Sequence, residues 1–553
     1  MKKQLITAIL VTFATAAFAA SNFGIDYYSL GELPLAKEYF EKQVTQVPAE
    51  SNYYLGEIAF AEGKTAEAKA FYEKGIAADP LYMLNFIGKG KTLLKSSPAE
   101  AEVIFANALK KKNKKNVELN VAVARAYYEN GMLETANTKL AIARKYGKND
   151  PLVFIMEGDI LRDQKKEGEA ASKYEQAMYF DTQSAIAHIK YAIVYEQVNP
   201  EVSIEALKKI LAIYPDYKII HKNLGRSYQK VGKYNTAIES YITYFGGIQY
   251  KASDMQYLIS YAQSYYFTDQ FTESMNIISE GLKIEPNNFV LNRLRMYNAS
   301  KLKDKENGLT YADFFFSLTS GTERFIYQDY SAYALILTES GKYIEALDQY
   351  NKVLNTEGLE VDKAALYKEM APVYSRMGDN LKAAETYQII IDMAGPDMAA
   401  SSDYYMMGRA LYMAGMAMRS DSTEDGQIKF KEYLTKADSA FAKVVIMTPE
   451  SHIGNMWRGH TNSAMDPQTT LGLAKPHYEA AAVVIEKKIA EGGTNGLLKD
   501  LQRCYEYLGV YYFQKDDQPN STIYWTKVLE LDPANVNAKA ILDSYKTPAQ
   551  ATK

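Results

Sequence analysis

The chain has 553 residues, with 63 Lys and Arg against 67 Asp and Glu and a formal net charge of −4, a mildly acidic balance that excludes the electrostatic footprint of a nucleic-acid binder. One cysteine, Cys504, excludes an internal disulfide. Composition is even from end to end and lacks the turn-rich, β-branched segments of an all-β chain, which points to one helical array rather than separate cores.

In chain order, Met1-Lys2-Lys3 is a short basic region, Leu5 to Phe18 an apolar run, and Ala17-Phe18-Ala19 a small-x-small cleavage site. Together they predict a secretory signal peptide over residues 1–19, removed after Ala19. The run is too short for a stable membrane span, so no integral membrane span is expected after leader cleavage. Loss of Lys2 and Lys3 takes the net charge from −4 to −6. No cysteine follows the cleavage site to carry a lipid anchor. The expected location is the periplasm of a Gram-negative-like bacterium, with secretion as the alternative.

From residue 23 a fixed spacing of small and large apolar residues recurs. Phe23-Gly24, Tyr27, Gly31, Ala36 and Phe40 open it; Leu55-Gly56, Gly63, Ala68 and Tyr72 repeat it, with Asp79-Pro80 ending the second helix. Copies follow over Ile87 to Ala108, Ala124 to Ala143, Gly158 to Ala177 and Ala192 to Ile213. The clearest is Leu224-Gly225, Tyr228, Gly232, Ala237, Tyr241 and Tyr244. Apolar residues three or four apart make each copy two short helices, turned here at Val231-Gly232-Lys233. Gly225 and Ala237 are small where two helix backbones approach, and Leu224, Tyr228 and Tyr241 fill the space around that contact. Many of the 46 tyrosines fall at such large-residue positions. After the copy from Tyr261 to Pro286 the phase weakens. Only Met296, Gly308, Ala312 and Phe315 keep it between 289 and 318, and Ser317 to Glu323 reads as a loop. Regular copies resume at Ala334 and Ala371. The next opens with Met407-Gly408, is interrupted near Ser420 to Gly426, and closes with Ala437 and Phe441; another has Trp457, Gly459 and a loop from Asp466 to Lys475. The last has Leu508-Gly509, Ser521 and Trp525, and residues 535–545 read as a terminal helix over its exposed face.

Helix pairs this short cannot bury their own apolar faces and must stack on one another. The pattern therefore predicts an all-α solenoid of about fourteen stacked helical hairpins. The expected organisation is an N-terminal array over 20–288, a degenerate joint over 289–323, a C-terminal array with interrupted repeats and a capping helix over 324–545, and a tail over 546–553.

The unit resembles the tetratricopeptide repeat, a helical hairpin of about 34 residues, over nearly all of residues 20 to 545. The resemblance, to exported bacterial members of that superfamily, implies a right-handed α-solenoid. It also implies binding: members usually hold a peptide or protein in a concave groove lined by each unit's first helix, and seldom do chemistry. On that basis the groove candidates are Tyr53, Glu57, Arg125, Tyr128, Asp159, Arg162, Lys222, Arg226, Gln229, Gln263, Tyr266, Arg409 and Tyr412. They mix charge with aromatics, which suits an extended polypeptide better than a polyanion. One subclass grips a C-terminal carboxylate with a Lys-x3-Asn pair and, two repeats later, a Lys-x3-Arg pair. Lys222 and Arg226 have the second spacing, but Ile155 and Asp159 stand where the first would be, so that clamp is not expected.

Other clusters have plainer readings. Lys110 to Lys115 fits a solvated helix end better than a contact with an anionic surface. Met406, Met407, Met413, Met416 and Met418 fit flexible core filling better than soft-metal capture. His452 and His460 are too far apart on one helix to share a metal, and His477 lies beyond a loop. The loop itself, with Asp466, Lys475 and His477, is the most irregular feature and a second candidate site; its plain reading is a longer hairpin turn. No phosphate loop, Gly-x-Ser-x-Gly or His-Glu-x-x-His motif appears, so no catalytic residue, metal or cofactor is assigned and an enzyme is not expected. The expected function is an exported scaffold or adaptor that binds a protein or peptide partner, within an envelope complex. The alternative is a glycan- or nutrient-capturing envelope protein.

Overall fold

A computed structural model describes residues 23–318, 324–355, 361–395, 398–493 and 496–546. The leader over 1–19, residues 319–323 of the expected loop and residues 547–553 of the tail lie outside the described residues. Among the described residues there are 29 α-helices and no strand. They form fourteen consecutive hairpins followed by one further helix, Val536–Lys546. The first hairpin pairs residues 23–29 with Leu33–Gln43, the second Pro48–Ala61 with Thr65–Ala78, and the seventh Lys218–Lys230 with Tyr234–Phe245. The chain divides into two compact units, Met1–Asn298 and Ala299–Lys553, the division falling inside the helix Phe289–Leu302.

The small-to-large register is visible atom by atom. A β-carbon added at Gly225 would lie 2.8 Å from the ring of Tyr241, at Gly158 2.5 Å from Tyr174, and at Gly509 2.8 Å from Trp525. Tyr72 serves two hairpins at once, since added β-carbons at Gly56 and Gly88 would lie 2.5 and 2.2 Å from its ring. Tyr72, Tyr174, Tyr241 and Trp525 are all buried, so each hairpin's aromatic fills the slot that the glycine of a first helix leaves open. The turn at Gly232 needs a φ of +72°, which glycine adopts without steric cost. Ala237 is fully buried, and Ala237→Phe should overpack the seventh hairpin at a cost of about 1–3 kcal/mol. Urea denaturation measures this; an unchanged midpoint would show that Ala237 is not at the helix contact.

Three local features differ from the sequence reading. The lysine run is not a helix end but a separate exposed 3₁₀ segment, Lys111–Lys115, joining the third and fourth hairpins. The twelfth hairpin is lengthened rather than interrupted: its helices run over 18 and 24 residues, Ser401–Met418 and Glu424–Met447. Packing continues past the usual turn, with Ala414, Gly415, Phe430 and Leu434 buried, so the polar stretch becomes the tip of a longer hairpin. Of the methionines, Met407 is core and Met406 packs against it, but Met413 is 50% exposed. Cys504 is fully buried, its thiol pushed up to about 12 by burial and set 3.4 Å from Met456 Sδ.

Candidate functional site

Stacking hairpins in register places a residue of one first helix beside its counterpart in the next, and in the first unit these positions carry charge. Lys91 Nζ donates to Glu57 Oε1 at 2.7 Å and to Glu129 Oε2 at 2.8 Å, Lys190 pairs with Asp159 at 2.6 Å, and Arg226 pairs with Glu196 at 2.8 Å. Gln229 donates to Gln263 at 3.3 Å and Tyr128 to Asp163. Spacings such as Glu57 to Lys91 equal one repeat, so opposite charges one period apart were a readable signal for Lys91 and Glu129, which the sequence reading passed over.

Over this ladder lies the helix 23–29. Phe23 stacks on Tyr217 with ring centroids 4.3 Å apart, Tyr27 meets the same ring at 5.7 Å, and Tyr28 donates to Glu57 at 3.0 Å and to Glu129 at 3.4 Å. Glu32, just beyond, pairs with Lys222 at 2.7 Å. One short helix can touch the first helices of hairpins two, four and seven together only if these curve around it. The polar ladder therefore lines an inner face of the first unit, and the start of the chain occupies it.

That occupation changes the standing of several candidates. Tyr53, Glu57 and Lys222 are 6%, 3% and 1% exposed and committed to internal partners, so in this conformation they do not present themselves to a partner. Tyr53 packs edge-on to Tyr54; Glu57 accepts from Tyr28, Tyr72 and Lys91; Lys222 lies 4.1 Å over the ring of Tyr257. Burial alone would raise the Glu57 carboxyl, but Lys91 and the Tyr72 hydroxyl hold it below its ordinary value. Burial likewise disfavours the charged Lys91, and Glu129 with Glu57 more than offsets it. Asp159 and Arg226 are half-buried in their ion pairs. Arg125 and Arg162 are half-buried beside Asp159 and Asp163 around a cavity of about 370 Å³ under Tyr28 to Gly31; burial alone would lower the Arg125 guanidinium, but Tyr28, Glu129 and Asp159 more than offset it. Tyr266 packs edge-on to Phe267 and Phe271 and remains half-buried.

Asp26, on the docked helix, is 9% exposed and no cation lies close enough to offset its burial, which pushes the carboxyl from 3.8 up to about 7. The titratable groups around it are Tyr27 and Glu32 on its own segment and Tyr214 and Tyr217 opposite. The docked carboxyl thus holds its proton to higher pH than the released one. Docking should weaken as pH rises from about 4 and be weakest above about 7. Amide exchange over 23–29 should accelerate across that window beyond the intrinsic rate, and Asp26→Asn should remove the excess.

In the second unit Arg409 is open to solvent and Tyr412 is half-buried. Arg409 is exposed, 5.8 and 5.6 Å over the rings of Tyr405 and Trp457, and Tyr412 meets Trp457 edge-on at 5.6 Å. Trp457 stacks on buried Phe441 at 5.5 Å, which holds this cation-aromatic patch in place. The irregular loop is internally organised. Asp466, 3% exposed, accepts from the backbone N–H groups of Leu471 at 3.0 Å and Gly472 at 2.7 Å and from Leu473 at 3.4 Å, so its carboxylate closes the turn instead of facing solvent. Asp466→Ala should cost the loop about 1–3 kcal/mol, read as faster hydrogen exchange over 466–475. Lys475 pairs with Glu479 at 2.8 Å. His452, His460 and His477 do not converge: His452 meets Asp500 at 3.1 Å, His460 meets Arg503 at 3.2 Å, and burial lowers the His477 imidazole. Among the described residues no three His, Cys, Asp or Glu side chains are grouped to hold a metal ion, and no helix is long and apolar enough to cross a membrane.

The family described as tetratricopeptide repeat has a sequence model that matches residues 22–82, and the glycine-to-aromatic register of that segment recurs through the chain. The chain belongs to the tetratricopeptide repeat superfamily. It is 33% identical over 102 residues to the photosystem I assembly protein Ycf3 of Prochlorococcus marinus, covering 18% of this chain and 57% of that protein. The chain thus spans little more than half the length of that curated relative. Among solved structures it is similar to the C-terminal part of a TPR repeat-containing protein from Cytophaga hutchinsonii, at 24% identity, with 51% of this chain and 98% of that one covered and a TM-score of 0.42. It is also similar to PilF of Pseudomonas aeruginosa, at 16% identity over 38% of this chain and 96% of that one, with a TM-score of 0.34. Tetratricopeptide repeat proteins bind protein partners and are typically non-catalytic scaffolds.

Proposed function

We propose that the protein is an exported, non-catalytic scaffold that holds a protein or peptide partner in the bacterial cell envelope. The observation that carries the reading is the patch of Arg409, Tyr405, Tyr412 and Trp457: an exposed cation over three half-buried rings on neighbouring first helices, propped from beneath by Phe441. Anchored aromatics beside arginine are the composition of protein-binding surfaces, and their rigidity lowers the ordering cost of association. Export rests on the basic, apolar and small-x-small order of residues 1–19.

Photo-crosslinking in the native cell, with the reactive group at Tyr412 and in parallel at Tyr266, tests the reading. The expected result is a discrete protein adduct at Tyr412 that Arg409→Glu removes. Folded protein at native level with no protein adduct from either position would overturn it and turn attention to glycan ligands for the same aromatic patch. Export is checked separately: the N-terminus of the mature protein should be Ala20, and the protein should appear in the periplasmic fraction.

A further inference from the structure

Because the hairpins stack in register, the connections between them share one edge of the first unit. Three of these, 79–83, 109–116 and 147–150, lie in succession there. Burial raises the Tyr82 hydroxyl and the charge of Glu118 adds to it, which sets the first connection near the start of the fourth hairpin. A β-carbon added at Gly147 would lie 2.6 Å from Val117, which sets the third against the second. Positive charge is concentrated on this edge, in a chain whose net charge is −4. Lys110, Lys111, Lys112, Lys114 and Lys115 are exposed, and no acidic residue stands between Glu102 and Glu118. Lys145 and Lys148 are exposed at the neighbouring connection. None of these lysines is in an ion pair among the described residues. The nearby carboxylates do not answer them: Asp150 caps the following helix through the N–H of Leu152 at 3.0 Å, and the Glu118 carboxyl is raised by burial and then by Asp150, with no lysine lowering it. The next connection, 181–184, carries an aspartate and no lysine, so the patch ends there.

The lysines are presented from a fixed turn and not from a frayed helix end. Lys111 holds a left-handed φ of +53°, so the run cannot continue the helix before it. Asn113 donates to the Ala108 carbonyl at 3.1 Å, and Asn120 donates to those of Lys114 at 3.3 Å and Asn116 at 2.6 Å. On the same edge stands Leu81, 78% exposed, on a turn closed by its own N–H to Asp79 at 2.8 Å, and Val47 at the preceding connection is 40% exposed. We propose that this edge docks on a bilayer of anionic phospholipid, the lysines reaching the headgroup phosphates and Leu81 entering the boundary beneath them. A soluble polyanion would use the lysines alone, whereas exposed aliphatic side chains in line with them gain only from an apolar phase. Each lysine near an anionic bilayer contributes about fivefold to partitioning, so several together bind well at low salt and poorly at high salt. The surface is the edge of the repeats and not their inner face. It goes beyond the scaffold reading by giving the scaffold an attachment to a membrane.

Vesicle co-sedimentation tests this, with the chain from Ala20 onward because the leader is itself basic and apolar and would bind lipid alone. Vesicles of phosphatidylcholine are compared with vesicles of phosphatidylcholine and phosphatidylglycerol in equal parts. The protein should sediment with the second and not with the first, and should be released as salt rises. Lys111→Gln/Lys112→Gln/Lys114→Gln should weaken binding at least about tenfold, and the same three changed to arginine should keep it. Leu81→Ser should weaken it severalfold. All four residues are exposed, so the urea midpoint of each variant should match that of the unaltered protein. Sedimentation with neither vesicle or equally with both, or unweakened binding of the glutamine variant, would overturn the proposal. Binding to soluble polyphosphate as tight as to vesicles, with Leu81→Ser unchanged on both, would overturn the bilayer as occupant. No partner protein enters the assay, so its failure and that of the cellular crosslinking are separate results.

Discussion

Replacing Lys91 by methionine should destabilise the first unit by about 3–5 kcal/mol, the range found when one partner of a buried ion pair is removed. Lys91 and Glu57 are 2% and 3% exposed, so neither has water in reserve, and among the described residues Glu57 would keep the hydroxyls of Tyr28 and Tyr72 and the weaker pull of the Arg125 charge. The sign of the pH dependence follows from the directions of shift. In the unaltered protein the Glu57 carboxyl is held below its ordinary value, so its stabilisation is present above that value and is lost as pH falls through the depressed one. Without Lys91 the same burial raises the carboxyl, and protonation relieves the variant. The gap between the two proteins should therefore narrow as pH falls from neutral towards about 4. Adding Glu57→Gln should recover part of the loss, since no buried charge then stands alone. Urea denaturation across pH, localised by hydrogen exchange in hairpins one to four, measures both. A variant equally destabilised at every pH would mean that Lys91 acts through packing and not through Glu57.

Phe441→Ala should cost the second unit about 3–5 kcal/mol, the usual range for emptying a buried aromatic site. Phe441 is fully buried, its ring fills the slot at Gly408 where an added β-carbon would lie 2.7 Å away, and it supports Trp457 at 5.5 Å. A helix backbone pair set at this distance cannot close over an alanine without moving the whole hairpin, so a cavity remains. Trp457 is one of only two tryptophans and reports the change: its emission should shift to the red as its support is lost. The effect should also reach function. With Trp457 released, the patch with Arg409 and Tyr412 loses its rigidity, and the crosslink at Tyr412 should weaken even in protein that remains folded. Hydrogen exchange should place the loss in hairpins eleven to thirteen, because stacked repeats transmit destabilisation chiefly to neighbours.

Much of the architecture was legible in residues alone, for a local reason. Gly225 and Tyr241, or Gly509 and Trp525, lie within one hairpin, so the contact that sets the helix pair is written at short range and repeated. The long hairpin of repeat twelve was misread because its polar tip, Ser420 to Gly426, resembles a break; only the burial of Phe430 and Leu434 beyond it shows that the helices continue. The closing of the Asp466 loop was equally hidden, since an aspartate in a polar loop reads the same whether it faces water or three backbone N–H groups.

The candidate site divides the same way. Which positions belong to first helices, and so which side chains line the inner face, followed from periodicity. Whether those side chains are open did not. Lys222 as a groove residue and Lys222 buried under Glu32 are identical in sequence, because their difference lies in a contact across 190 positions. The sequence by itself determined the hairpin, its register and the need to stack, since each depends on residues within about one repeat of one another. Only the tertiary structure decided that the hairpins of the first unit curve far enough for the start of the chain to meet the seventh. That outcome sums small rotations over many interfaces, and no single residue pair encodes it.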